Sequence, residues 1–199
     1  MNTQEIISSL ISINSIKINL KKPFKWASGW NSPIYCDNRI ILSHIKERKI
    51  IQNLFCSYIK KYFQSVNYVA GVATGAIAHG MMIASTLDLP FIYVRDKAKN
   101  YGRENQIEGN LKKGSNVIVI EDLISTGKSS INAIKAIEKT GSKVNGLMSI
   151  FTYDFLNTKN LKTPCVSLCN YSTLIEVAID NQIITEEERE ILSTWKTKI

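Results

Sequence analysis

Val117-Ile118-Val119-Ile120-Glu121-Asp122-Leu123-Ile124-Ser125-Thr126-Gly127-Lys128-Ser129-Ser130 is the stretch that decides the architecture. Its first four residues are β-branched and apolar, with no polar alternation, as in a strand covered on both faces. Two carboxylates follow, then a turn rich in hydroxyls and glycine. Helical spacing runs from Ser129 to Lys139 and is closed by Gly141. A doubly covered strand that feeds a helix through a short turn belongs to a parallel sheet with helices on both sides.

The flanking chain repeats the alternation. Tyr68–Val72 reads as a strand, Ala76–Leu87 as a helix, and Phe91–Val94 as a strand after Pro90. Val144–Phe151 and Val166–Leu168 read as further strands. Upstream, residues 45–63 carry helical spacing, and so does the start of the first 20 residues. Residues 24–39, with Pro23, Gly29 and Pro33 in and beside them, suit loops around short extended pieces. Thr185 and Glu188 fit a capping box opening the last helix. The expected fold is α/β, a central, mostly parallel sheet flanked by helices. Ligands of such sheets bind at the carboxyl ends of strands, here the loops after Val72, Val94 and Ile120.

Length and composition bound the rest. The 199 residues suit one domain, with 44% hydrophobic and 21% charged residues, which is globular composition. No apolar run reaches the ~18–20 residues of a bilayer span, and no secretory signal is evident, so no membrane role and a cytoplasmic location are expected. The net charge of +8 favours anionic ligands. Without a dense Lys/Arg block, nucleic acid is not expected. Cys36, Cys56, Cys165 and Cys169 form no C-x-x-C pair, and His44 and His79 are the only histidines, so zinc is not expected. Cys165 and Cys169 read as buried thiols.

The turn after the acids carries the chemistry. Successive backbone N–H groups at a helix N-terminus make a phosphate site. Carboxylates beside it would repel a bare phosphate. They suit a ligand whose hydroxyls lie next to its phosphate, such as a ribose 5-phosphate. Gly127-Lys128-Ser129 also matches the tail of G-x-x-x-x-G-K-[ST], but the first glycine would fall at Asp122, where a carboxylate would meet the phosphate.

Residues 117–127 resemble the phosphoribosyl-pyrophosphate (PRPP) motif of type I phosphoribosyltransferases. Phe24–Arg39 is similar to the N-terminal signature of the orotate-specific family, and Val72–Ala78 to its pyrophosphate loop. Arg95–Gly102, with Gln106–Gly109, resembles its mobile catalytic loop. The resemblance implies one domain over residues 1–199, with a small N-terminal hood of about residues 1–40 packed on a core of about 41–199. It implies transfer of a phosphoribosyl group from PRPP to orotate, with Mg²⁺ carried by PRPP rather than by protein side chains. It implies a homodimer whose mobile loop is shared between subunits. Lys99 and Arg95 are then the catalytic cations on the diphosphate, joined there by Tyr101, Ala73 and Thr74. Glu121 and Asp122 hold the ribose hydroxyls. Leu123, Ile124, Ser125, Thr126, Gly127, Lys128 and Ser129 hold the 5-phosphate. Ser28, Gly29 and Ser125 face orotate.

Three positions depart from the family pattern: Ala27 where many members have lysine, Tyr101 where most have histidine, and Lys128 in place of a small residue. A tyrosine keeps a hydrogen-bond donor but carries no positive charge near neutral pH. Two other functions compete. A purine phosphoribosyltransferase would lack the Trp26–Arg39 signature, and a PRPP-sensing regulator would normally carry a helix-turn-helix, which is not seen. His79, inside an apolar helix, is expected to serve the core.

Overall fold

Asn2 opens the first helix. Its Oδ1 accepts from the Glu5 N–H at 2.8 Å, and the Glu5 carboxylate accepts from the Asn2 N–H at 3.0 Å. This capping box starts α1 (Thr3–Ser12), which buries Ile6, Ile7 and Leu10. The computed structural model describes residues 2–26, 29–96, 106–155 and 162–197. After α1 come two small antiparallel pairs: β1 (Ile16–Ile18) with β4 (Ile34–Cys36), and between them β2 (Phe24–Lys25) with β3 (Asn31–Ser32). A 3-10 helix over Asn38–Ser43 leads into α2 (Ile45–Tyr62).

The main sheet then alternates with helices: β5 (Tyr68–Val72), α3 (Ala76–Leu87), β6 (Phe91–Val94), β7 (Ile107–Glu108), β8 (Asn116–Ile124), α4 (Lys128–Glu138), β9 (Lys143–Thr152) and β10 (Cys165–Asn170). Helices α5 (Tyr171–Asp180) and α6 (Glu186–Thr197) follow. The six strands lie in the order β10-β9-β8-β5-β6-β7. Their pairings are parallel except β6 with β7 at the edge. This is the expected α/β architecture.

The unbroken apolar run of β8 has a direct cause. Ile118 and Ile120 join the core that holds α1, α2 and α5, whereas Val117 and Val119 join the core on the α4 side, with Ala133, Ile134 and Ile137. Both faces of the strand are covered, so no position is left for a polar residue. Each such side chain contributes about 1.5–3 kcal/mol relative to exposure.

Two expectations need correction. The strand does not end at Ile120. It continues to Ile124, with Glu121 opposite Ser149, Leu123 opposite Phe151 and Ile124 opposite Thr152 on β9. The long partner strand offers ladder positions that local propensity does not reveal. The free turn is therefore only Ser125–Gly127, and α4 begins at Lys128 rather than Ser129. Cys169 is buried as expected, but Cys165 is only partly so. The capping box at the last helix is present: Thr185 N–H donates to Glu188 at 3.0 Å, and Glu188 N–H to the Thr185 hydroxyl at 3.2 Å.

The N-terminal segment is woven into the rest. Helix α1 lies against α5 and β10, and Asn38 reaches across to Asp122 on β8.

Candidate active site

Strands β8, β5 and β6 are neighbours; β5 and β6 end level, and β8 runs about three residues beyond them. Gly71 pairs with Ile120 on one side and Tyr93 on the other, and Val72 pairs with Val94. The loops after Val72 and Val94 and the end of β8 therefore share one rim, as the sequence pattern predicts. The Ala73 N–H donates to the Val94 carbonyl at 2.8 Å, and the Ala73–Thr74 peptide is cis.

Because the acids sit on a strand, they leave it on opposite faces. Glu121 points to the α4 side and is buried, 3% exposed. Its Oε1 accepts from Ser129 Oγ at 2.6 Å and Ser130 Oγ at 3.0 Å. Burial pushes its pKa up to about 7, against the lowering effect of those two hydroxyls. Asp122 points to the α3 side, where its carboxylate lies directly over Gly75. Any β-carbon at Gly75 would collide with that carboxylate. Burial raises the Asp122 pKa, opposed by its own N–H, the Leu123 N–H and the Arg39 guanidinium. Thus Asp122 belongs with the Ala73–Gly75 loop, and Glu121 belongs with the first turn of α4.

Gly127 takes the left-handed conformation, with φ of +76°, so the chain can swing from β8 into α4. It provides no capping side chain, so the first-turn N–H groups of α4 keep their capacity for an anion. Thr126 and Lys128 beside it are exposed, and Ser125 is half-buried.

Arg95 stands at the end of β6. Its backbone N–H donates to Gln106 O at 2.9 Å, and the Gln106 side chain returns a bond to Arg95 O at 2.8 Å. The Arg95 guanidinium is 3.6 Å from Glu108. Its buried Nη1 makes no hydrogen bond among the described residues. That nitrogen is the one facing the Glu108 carboxylate, so its charge is paired although no hydrogen bond is made. Lys99, Tyr101 and Ser28 lie outside the described residues, as do Ala27, Lys97 and Arg103.

On the other side of the rim, β2 and β3 present a turn in which the Gly29 N–H donates to Trp26 O at 2.9 Å. Gly29 has φ of +89°. Trp26 is fixed by an Nε1–H bond to Ile34 O at 3.3 Å and by edge contact with Tyr153 at 4.8 Å between ring centres.

Two residues of this region carry no signal that sequence reasoning could weigh. Asn38 is wholly buried and donates to the Asp122 carbonyl at 2.6 Å. Its Oδ1 accepts from Ser15 at 3.0 Å, and its carbonyl lies 3.4 Å from His79 Nε2. His79 is buried, which lowers its pKa, and serves the core as expected. Arg39 forms a two-pronged bond to Asp37, at 2.6 and 2.8 Å, near Asp122. Among the described residues no group of three or more His, Cys, Asp or Glu side chains stands together as a metal site. No described helix is long and apolar enough to cross a membrane.

Comparison with known proteins agrees with this arrangement. Residues 38–168 match the phosphoribosyl transferase domain model. Orotate phosphoribosyltransferase of Cytophaga hutchinsonii is 41% identical over 198 residues, covering 98% of this chain and 95% of that protein. The protein of the same name from Listeria monocytogenes is 45% identical over 197 residues, covering 97% and 94%. The crystal structure of orotate phosphoribosyltransferase from Aeropyrum pernix superposes with a TM-score of 0.76 at 25% identity, covering 86% of this chain and 96% of that one. With relatives of this identity matched over nearly their whole length, and with the acids, the 125–127 turn and the Ala73–Gly75 loop gathered on one rim, the chain belongs to the orotate phosphoribosyltransferase family.

Proposed function

We propose that this chain transfers the 5-phosphoribosyl group from PRPP to orotate, giving orotidine 5′-monophosphate and pyrophosphate for pyrimidine synthesis. One observation supports this reading above the others: Asp122, the Ala73–Gly75 loop, Arg95 and the uncapped start of α4 share one rim. Each part suits a different piece of PRPP, which carries a phosphate, two ribose hydroxyls and a diphosphate.

In such a transfer the bond from C1 to the diphosphate lengthens before the base bonds. Positive charge grows on the ribose and negative charge on the departing diphosphate. In this reading Arg95 and the loop residues Ala73 and Thr74 receive the diphosphate, with Lys99 and Tyr101 joining them by family resemblance. Fixed donors aimed at growing charge lower a barrier more than donors that must reorganise. Asp122 orients the ribose through its hydroxyls. Glu121 holds Ser129 and Ser130 through Oε1 alone, and its other oxygen is the one that would meet the ribose. Residues Leu123–Ser129 hold the 5-phosphate, chiefly through N–H groups from Ser125 onward. Ser28, Gly29 and Ser125 meet the base.

Magnesium would come with PRPP rather than on protein side chains, and would supply charge neutralisation on the diphosphate. The two acids diverge from the strand, which does not suit joint chelation of one ion. A homodimer that shares the mobile loop, an N-terminal hood of about residues 1–40, and a cytoplasmic location belong to the same reading. The decisive assay follows orotate loss by absorbance with PRPP and Mg²⁺. Turnover of orotate, and not of uracil, adenine, guanine or hypoxanthine, is expected. Turnover of a purine base instead would overturn the assignment.

A further inference from the structure

The C-terminal helix reaches the base side of the rim. Trp195 on α6 donates its Nε1–H to the carbonyl of Asn31 at 3.0 Å. Its ring meets Trp26 edge-on at 6.2 Å, Tyr153 at 6.5 Å and Phe155 at 5.8 Å, and it stacks on Tyr171 at 5.9 Å. Asn31 lies on β3 opposite Lys25, so this one bond grips the far arm of the hairpin that carries Trp26 and Gly29. The hairpin itself is only two residue pairs long. A pairing that short is not stable alone in water. Something outside it must hold its turn in place.

Helix α6 is well suited to do so, because it is itself anchored. Leu192 is fully buried, and its carbonyl accepts from the Tyr171 hydroxyl at 3.0 Å. Lys196 pairs with Asp154 at 3.6 Å and lies over the Tyr171 ring at 5.2 Å. The tether thus runs from the end of β9 and the start of α5, through Trp195, to the hairpin.

We propose that Trp195 is a positioning residue for the base-binding side, holding Trp26 and the Gly29–Asn31 arm of the hairpin in their productive geometry through the Nε1–H bond and its ring. This rests on the orotate reading above. At the rim the tether touches the hairpin alone, so the effect falls on the binding of orotate and not on that of PRPP, whose groups stand on β5, β6 and β8.

Trp195→Phe keeps a six-membered ring for the aromatic contacts but loses the donor with the pyrrole part of the indole, and Trp195→Ala removes the whole ring system. Two measurements on the full chain decide the matter. In steady-state kinetics, Trp195→Phe raises the KM for orotate about five-fold, as for loss of one hydrogen bond. The KM for PRPP and kcat stay within two-fold of wild type. Trp195→Ala raises the orotate KM further. In hydrogen exchange without substrate, amides of residues 24–32 exchange faster in Trp195→Phe, while those of 116–124 are unchanged. An unaltered orotate KM, equal rises in both KM values, or unaltered exchange at 24–32 would overturn the proposal. Wild-type protein that does not consume orotate would instead overturn the functional reading, and the exchange arm would still report on the tether.

Discussion

Asn38 and Asp122 are 84 positions apart in sequence and joined by one partly buried hydrogen bond, from the Asn38 side-chain amide to the Asp122 carbonyl, at 2.6 Å. The same asparagine accepts from Ser15 at 3.0 Å and lies, through its carbonyl, 3.4 Å from His79. It therefore links the N-terminal segment, α3 and the acid-bearing end of β8. Replacing it by alanine leaves a partly buried carbonyl unpaired, at a cost of about 1–3 kcal/mol. Asn38→Ala is expected to lower the melting temperature and to raise the KM for PRPP several-fold more than that for orotate. Parallel melting and kinetic measurements check both. Equal rises in the two constants would remove the specific link to Asp122.

Gly75 gives a sharper test of the rim. Its α-carbon lies beneath the Asp122 carboxylate, in space that a methyl group cannot share. Gly75→Ala must displace either the carboxylate or the 73–75 loop. PRPP binding, measured by calorimetry, is expected to weaken at least ten-fold. The far side of the sheet does not feel the change, so circular dichroism should remain that of the wild type. Undiminished PRPP affinity would mean that this contact does not shape the sugar site.

The fold was readable in the chain because its signals are local and strong. Tyr68–Val72, Phe91–Val94 and Ala76–Leu87 fall where their patterning places them, since a doubly covered strand needs an unbroken apolar run. The end of β8 was not readable. Glu121 and Asp122 look like a loop doublet, and only the ladder with Ser149 and Phe151 reveals that they face opposite ways. Asn38 and Trp195 were hidden for a related reason. Each acts through a backbone carbonyl distant in sequence, and a carbonyl leaves no mark on residue type. Trp195, with Ile191 and Leu192 in the otherwise polar stretch 186–197, does suggest a buried contact, but not its partner.

Lys99 is the cation that the proposed function assigns to the departing diphosphate. Lys99→Ala is expected to lower kcat by about 10²-fold, the scale of losing one charge-stabilising group, with a smaller change in PRPP affinity. Asp122→Asn should instead weaken PRPP far more than orotate. If subunits share the loop, mixing and refolding the two inactive variants restores part of the activity in the heterodimer. Normal turnover by Lys99→Ala would reject its role, and a mixture no more active than its parts would reject sharing.

Glu121 sets a pH dependence whose sign follows from its burial. Its pKa rises from an ordinary 4.5 to about 7 in the folded chain. The folded state thus holds a proton that the unfolded state has lost over that interval. Its stabilising contribution is complete below about pH 4.5 and disappears as pH rises through about 7, an effect on the order of 3 kcal/mol. Ligand-free protein should therefore melt at a lower temperature at pH 8 than at pH 5. Glu121→Gln keeps an oxygen acceptor for Ser129 and Ser130 but cannot ionise, so the difference between the two pH values should shrink. Removing both hydroxyls, as in Ser129→Ala with Ser130→Ala, takes away donors that favour the ionised form, so the loss of stability should move to higher pH. Melting curves of the three proteins between pH 4.5 and 8.5 separate these outcomes. An unchanged pH dependence in Glu121→Gln would show that other groups produce it.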